Sequence, residues 1–70
     1  MKYTVIIEQA EDGSYSAYVP DLPGCVGCGD TVKEASKLIR EAIRLHIESL
    51  RQHGEPIPVP RAKACMVRVA

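Results

Sequence analysis

The sequence predicts a single α+β domain of element order β-β-β-α-β, and three features of its 70 residues predict it. Short β-rich runs alternate with turn residues over the first third of the chain. The apolar spacing then switches to a helical period, and a further β-rich run follows a proline-rich connector. A chain that is 46% hydrophobic and 26% charged folds around a core, and at 70 residues there is room for one core, spanning 1–70. A core of this size is marginal alone and invites a second copy, a partner protein, a metal or disulfides.

Lys2 to Glu8 forms the first strand, with Tyr3, Val5 and Ile7 on one face and Thr4, Ile6 and Glu8 on the other. Ile6 on the second face marks the strand as central. Asp12-Gly13 is a hairpin signal, and Tyr15 to Val19 is the return strand, with Ala17 and Tyr18 on opposite faces. Pro20 and Pro23 remove ladder donors, so Pro20–Gly24 is a rigid loop, expected to be exposed with Asp21 and Leu22 available for contact. A short third strand is predicted from Cys25 to Cys28, broken by Gly29. Thr31 and Glu34 have capping-box spacing, and Asp30 places a negative charge near the positive end of the helix dipole. From Val32 onward, Ala35, Leu38, Ile39, Ala42, Ile43, Ile47 and Leu50 form one apolar stripe. Gly54 takes the C′ position and Pro56 blocks continuation. Glu55 to Pro60 reads as a stiff extended connector, and Cys65 to Val69 as a last strand.

Connection lengths set the expected topology. The two short links make a meander, and the helical crossover returns the last strand parallel to the first. The expectation is a mixed four-stranded sheet of order 3-2-1-4 with the helix packed on one face. The other face carries Thr4, Ile6 and Tyr18 without cover. Another chain is expected on that face, or at the edge beside the last strand.

Charge and composition exclude several functions. Nine basic and nine acidic residues cancel, and there is no Trp or Phe, so neither bulk attraction nor stacking favours nucleic acid. The balance is uneven, with residues 1–31 at −4 and residues 32–53 and 54–70 at +2 each. The longest apolar run, Val5-Ile6-Ile7, is far below the ~20 residues of a membrane span. Three cysteines without a signal peptide fit a cytoplasmic protein with reduced thiols.

Candidate chemistry is sparse. Cys25-x-x-Cys28 with Cys65, His46 or His53 could supply zinc ligands, but one C-x-x-C lacks its second half. On a strand its two thiols point to opposite faces, so packing is the favoured reading and no metal or cofactor is expected. Asp12, Asp21 and Asp30 occupy a hairpin, a proline-bracketed turn and a helix start, all ordinary places for Asp. Neither histidine has a nucleophile placed beside it by spacing, and the chain is read as a non-enzyme.

The local signals taken together resemble a known family. Tyr3-x-Val5-x-Ile7, Asp12-Gly13-x-Tyr15, Val19-Pro20-Asp21-Leu22-Pro23-Gly24-Cys25 and Gly29-Asp30-Thr31-x-x-Glu34-Ala35, with Gly54-x-Pro56-x-Pro58, resemble the HicB-type antitoxins over nearly the whole chain. The resemblance implies a partial ribonuclease-H-like fold without ribonuclease activity. It also implies self-association to a homodimer or higher homo-oligomer, and occlusion of a small basic HicA-type toxin, an mRNA-cleaving ribonuclease. Many members carry a C-terminal DNA-binding domain that is missing from these 70 residues, so direct DNA binding is not expected. Within the resemblance, Asp12, Gly13, Pro20, Gly24, Gly29, Asp30, Thr31 and Glu34 serve the fold, and Asp21, Leu22 and Pro23 are the candidate partner contacts. The alternative is a homo-oligomeric regulatory or small-ligand-binding module without a toxin partner.

Overall fold

A computed structural model describes residues 1–70. Three strands, β1 (Ile6–Gln9), β2 (Tyr15–Tyr18) and β3 (Val26–Gly29), precede one helix, α1 (Val32–Gln52). The strands form an antiparallel sheet of order β1-β2-β3. Turn chemistry fixes both connections. At the hairpin, Gly13 has φ +89° and the Asp12 carboxylate accepts from the Ser14 N–H at 2.9 Å and the Ser14 hydroxyl at 2.6 Å. Between β2 and β3, Leu22-Pro23-Gly24-Cys25 closes as a type II turn: the Cys25 N–H donates to the Leu22 carbonyl at 3.1 Å, with Gly24 at φ +83°.

The helix begins and ends on the expected signals. The Thr31 hydroxyl accepts from the Glu34 N–H at 3.1 Å, and the Glu34 carboxylate reaches back to the Asp30 N–H at 3.3 Å. At the other end, Gly54 at φ +66° sends its N–H to Arg51 O (3.1 Å) while the Glu55 N–H reaches Leu50 O (2.9 Å), which is a Schellman motif.

Strand pairing sorts side chains into two faces. The rows Ile7–Ala17–Gly27 and Gln9–Tyr15–Gly29 share the helix side, and Ile6–Tyr18–Val26 and Glu8–Ser16–Cys28 share the opposite side. The buried core comprises Ala17, Val19, Leu22, Cys25, Ala35 and Ile39, flanked by partly buried Tyr3, Val5, Ile7 and Ile43. The helix packs chiefly on β3 and β2. Gly29 is the last residue of β3, so the strand does end at this glycine, which also has a packing role. A Cβ at Gly29 would lie 2.7 Å from the Ala35 nitrogen, and one at Gly27 would lie 3.1 Å from the Ile39 nitrogen. These glycines let the helix backbone come down onto the sheet.

The fourth strand is a correction. Cys65–Val69 pairs with nothing in the single chain, so neither the four-stranded sheet nor the order 3-2-1-4 forms within it. The connector is held as far as Ala62: the Tyr3 hydroxyl donates to Pro58 O, the Thr4 hydroxyl to Ala62 O at 2.8 Å, and the Asp21 carboxylate accepts from the Arg61 and Ala62 N–H groups at 3.0 Å each. Past Ala62 no hydrogen bond holds the chain, and α1 favours β2 and β3 over the β1 side where a fourth strand would need a second layer. Met66 is fully exposed, and Val67 and Val69 are 74% and 92% exposed.

Candidate functional site

The proline-bracketed loop fully exposes one of the three residues expected to face a partner. Leu22 is the largest fully buried side chain of the core, at 0% exposure. Its N–H donates to the Val19 carbonyl at 3.0 Å, which turns the loop back beneath the end of β2. Asp21 is half-buried, with one carboxylate oxygen occupied by the Arg61 and Ala62 amides. Of the three candidate contacts, only Pro23 is exposed. Asp21 and Leu22 thus act inward in this chain, one clamping the connector and the other filling the core.

The cysteines also separate. Cys25 lies in the core, while Cys28 and Cys65 are exposed. Burial raises the Cys25 thiol above its ordinary pKa and keeps it protonated at neutral pH. No three His, Cys, Asp or Glu side chains come together in a group that could hold a metal. Asp12, Asp21 and Asp30 stay at their separate turns. The hydroxyl and N–H of Ser14 hold the Asp12 carboxyl below the usual range, which marks it as a turn-former.

Two surfaces have the character of contact sites. The first is the sheet face opposite the helix. Across its three strands runs an apolar row of half-buried Ile6, Tyr18 at 40% exposure and Val26 at 64%. Beside it lie Glu8, Ser16 and Cys28, all exposed. Here the alternation read from the sequence holds. The second surface is a groove of about 570 Å³ along the outer side of β1, where Val5 and Ile7 face Ile39 and Ile43 of the helix, with Lys2 and Arg40 at its rim. Sequence reasoning missed this groove. Its signal was the pair of glycines on one face of β3, which draws the helix toward that edge of the sheet and away from β1. No helix is long and apolar enough to cross a membrane.

These apolar rows and open strand edges belong to a small α+β domain of three antiparallel strands and one helix. The chain belongs to the HicB-like antitoxins of bacterial toxin–antitoxin systems, whose family model matches residues 3–68. It is 55% identical over 67 residues to a UPF0150 protein of Thermoplasma acidophilum, covering 96% of this chain and 97% of that one. The crystal structure of the N-terminal domain of Burkholderia pseudomallei antitoxin HicB superimposes with a TM-score of 0.81 at 32% identity, over 90% of this chain and 74% of the other. A chain of the HicA3 and HicB3 toxin–antitoxin complex matches with a TM-score of 0.70 at 36% identity, over 87% and 70% of the two chains.

Proposed function

We propose that this chain is the antitoxin of a type II toxin–antitoxin pair, and that it neutralises a HicA-type mRNA-cleaving ribonuclease in the cytoplasm by covering the toxin's active site, with no catalysis of its own. The observation that carries the reading is the likeness to a chain of a HicA3–HicB3 complex over 87% of this sequence. The open sheet face is the surface we assign to the toxin. Its apolar row Ile6–Tyr18–Val26 supplies area to bury, and the −4 charge of residues 1–31 steers a basic partner toward it. Pro23, exposed on the turn that follows β2, belongs to the rim of this contact.

Co-expression with the product of the adjacent gene, followed by an RNA-cleavage assay, tests the reading. The expected result is a stoichiometric complex that suppresses cleavage. Tyr18→Asp and Val26→Asp should release the toxin while the isolated domain stays folded. Leu45→Asp, at a 61% exposed helix position, is the control and should not. An unrelieved toxin, or equal loss with Leu45→Asp, would overturn the assignment. We also propose that the chain self-associates, because a large share of its apolar surface is left open: besides the sheet-face residues, Leu45, Val59, Met66, Val67 and Val69 are all more than half exposed.

A further inference from the structure

The single chain is less closed than its size predicts. Its radius of gyration is 13.5 Å, where about 11 Å is expected for 70 residues. It exposes 5694 Å², where a folded monomer of 7.7 kDa exposes about 4,300 Å². The surplus, about 1,400 Å², exceeds the ~800 Å² that each partner contributes to a standard interface.

The surplus has a location. Residues 63–70 alternate as a strand, with Cys65, Val67 and Val69 on one side and Met66 and Arg68 on the other, and all of them are exposed. The same chain carries an unpaired strand edge, the outer side of β1, bordered by the empty apolar groove of Val5, Ile7, Ile39 and Ile43. A β-rich arm without a sheet and a sheet edge without a neighbour are complementary halves of one pairing.

We propose that residues 63–70 are an exchanged strand: in a dimer of this chain, the arm of each copy adds to the outer edge of β1 in the other. Cys65, Val67 and Val69 then fill the partner's groove. Arg68, on the other side of the strand, joins the face that carries Glu8. Charge selects this occupant. Residues 56–70 hold Arg61, Lys63 and Arg68 and no acidic residue, whereas β1 and its hairpin hold Glu8, Glu11 and Asp12. The carboxylates of Glu8 and the hairpin attract the arm's basic residues, while Lys2 and Arg40 at the groove's rim face the uncharged side of the arm, Cys65, Val67 and Val69. Eight extended residues span about 26 Å, enough to leave the Ala62 anchor and run the length of a neighbour's strand. The symmetric exchange closes a dimer and gives each sheet a fourth strand beside β1. This proposal rests on the self-association proposed above and is tested without the toxin.

The test is the mass of the purified chain by light scattering across a dilution series, with hydrogen exchange of the arm and without toxin. The expected result is a dimer near 15 kDa, twice the 7.7 kDa chain, with slowed exchange at residues 65–69. Val67→Asp with Val69→Asp should weaken it about 100-fold or more. Because both valines are largely exposed in the single chain, the dissociated protein should keep the wild-type helix signal in circular dichroism and lose only the strand contribution of the arm. Glu8→Arg and Arg68→Glu should each weaken the dimer, and the two together should restore it. A wild-type dimer unmoved by the valine pair overturns strand exchange and leaves self-association standing. A wild-type monomer overturns both. A monomer with protected arm amides shows the arm on its own β1, which also overturns exchange. None of these outcomes overturns the toxin reading.

Discussion

Gly29→Ala puts the glycine seat of the helix to the test. Gly29 has no need of glycine for its backbone, since its φ is not positive. The only demand on it is space. The added methyl would lie 2.7 Å from the Ala35 nitrogen and 2.9 Å from the Glu34 Cβ. The first of these is backbone in the opening turn of α1, so it cannot rotate away, and the helix start must lift from β3. Lifting it loosens Ala35, which is fully buried, and disturbs the Thr31–Glu34 cap. Overpacking of this kind costs about 2–3 kcal/mol. In a domain of this size it lowers the melting temperature by about 15 °C, at roughly 6 °C per kcal/mol. Gly13→Ala is the comparison. It meets nothing within 4 Å but sits at φ +89°, so it carries strain without a clash, worth about 1 kcal/mol. Urea and thermal unfolding of both variants at one protein concentration should rank Gly29→Ala as clearly the more damaging. If Gly29→Ala melts with the wild type, the helix is not held down by the missing side chain, and the account of why it leaves the β1 edge open fails with it.

Three further outcomes follow from the same geometry. Asp21→Ala removes the acceptor for two amides and should destabilise the fold by about 2 kcal/mol, with faster hydrogen exchange at Arg61 and Ala62. Iodoacetamide at neutral pH should label Cys28 in the native protein and Cys25 only on unfolding, because Cys25 is buried and its thiol stays protonated; mass spectrometry of the digested chain separates these sites from the third thiol, Cys65. Asp12 titrates lower in the folded state than in the unfolded chain. Its contribution to stability is therefore complete above the unfolded value of 3.8 and is lost as pH falls through the folded one. Urea midpoints measured from about pH 5 to pH 2.5 should fall less steeply for Asp12→Asn than for the wild type.

Local order was legible where one residue type has one physical use. Alternation set the faces of β1 and β2, and Ile6 and Tyr18 do share the uncovered side. Thr31, Glu34 and Gly54 bounded the helix because capping geometry admits few other residues at those positions. Leu22 was misread because prolines on either side make a loop look solvated. In a chain with no Phe or Trp, whose helix–sheet contact is lined by Ala17, Ala35, Gly27 and Gly29, the space at the end of the sheet needs a large aliphatic side chain, and the type II turn delivers Leu22 to it. Gly29 was read as the end of the third strand, and β3 does stop there. Its second use, as the seat for the helix backbone, was not legible because a lone glycine does not show which element comes down on it. The closing run, Cys65 to Val69, shows its pattern plainly, yet a strand pattern specifies an edge to pair with and not which copy supplies it.

The two proposed surfaces are geometrically coupled. Strand addition at the β1 edge happens in the plane of the sheet, whereas the toxin is assigned to the face at right angles to that plane. An arriving arm therefore leaves Ile6, Tyr18 and Val26 uncovered and widens their face by one strand, on which Met66 adds apolar area while Arg68 offsets part of the charge of Glu8. Its opposite side fills the groove between Val5, Ile7 and Ile43, bracing a strand that the helix alone supports weakly. Both effects favour toxin binding, one by enlarging the contact and the other by rigidifying β1 before contact is made. Strand exchange and toxin capture should then be positively linked, each strengthening the other by the same factor. The valine-pair variant that dissociates the dimer should also bind toxin less tightly, though neither residue lies on the toxin face. Equal toxin affinity for the monomeric variant and the wild-type dimer would show that the two surfaces work independently.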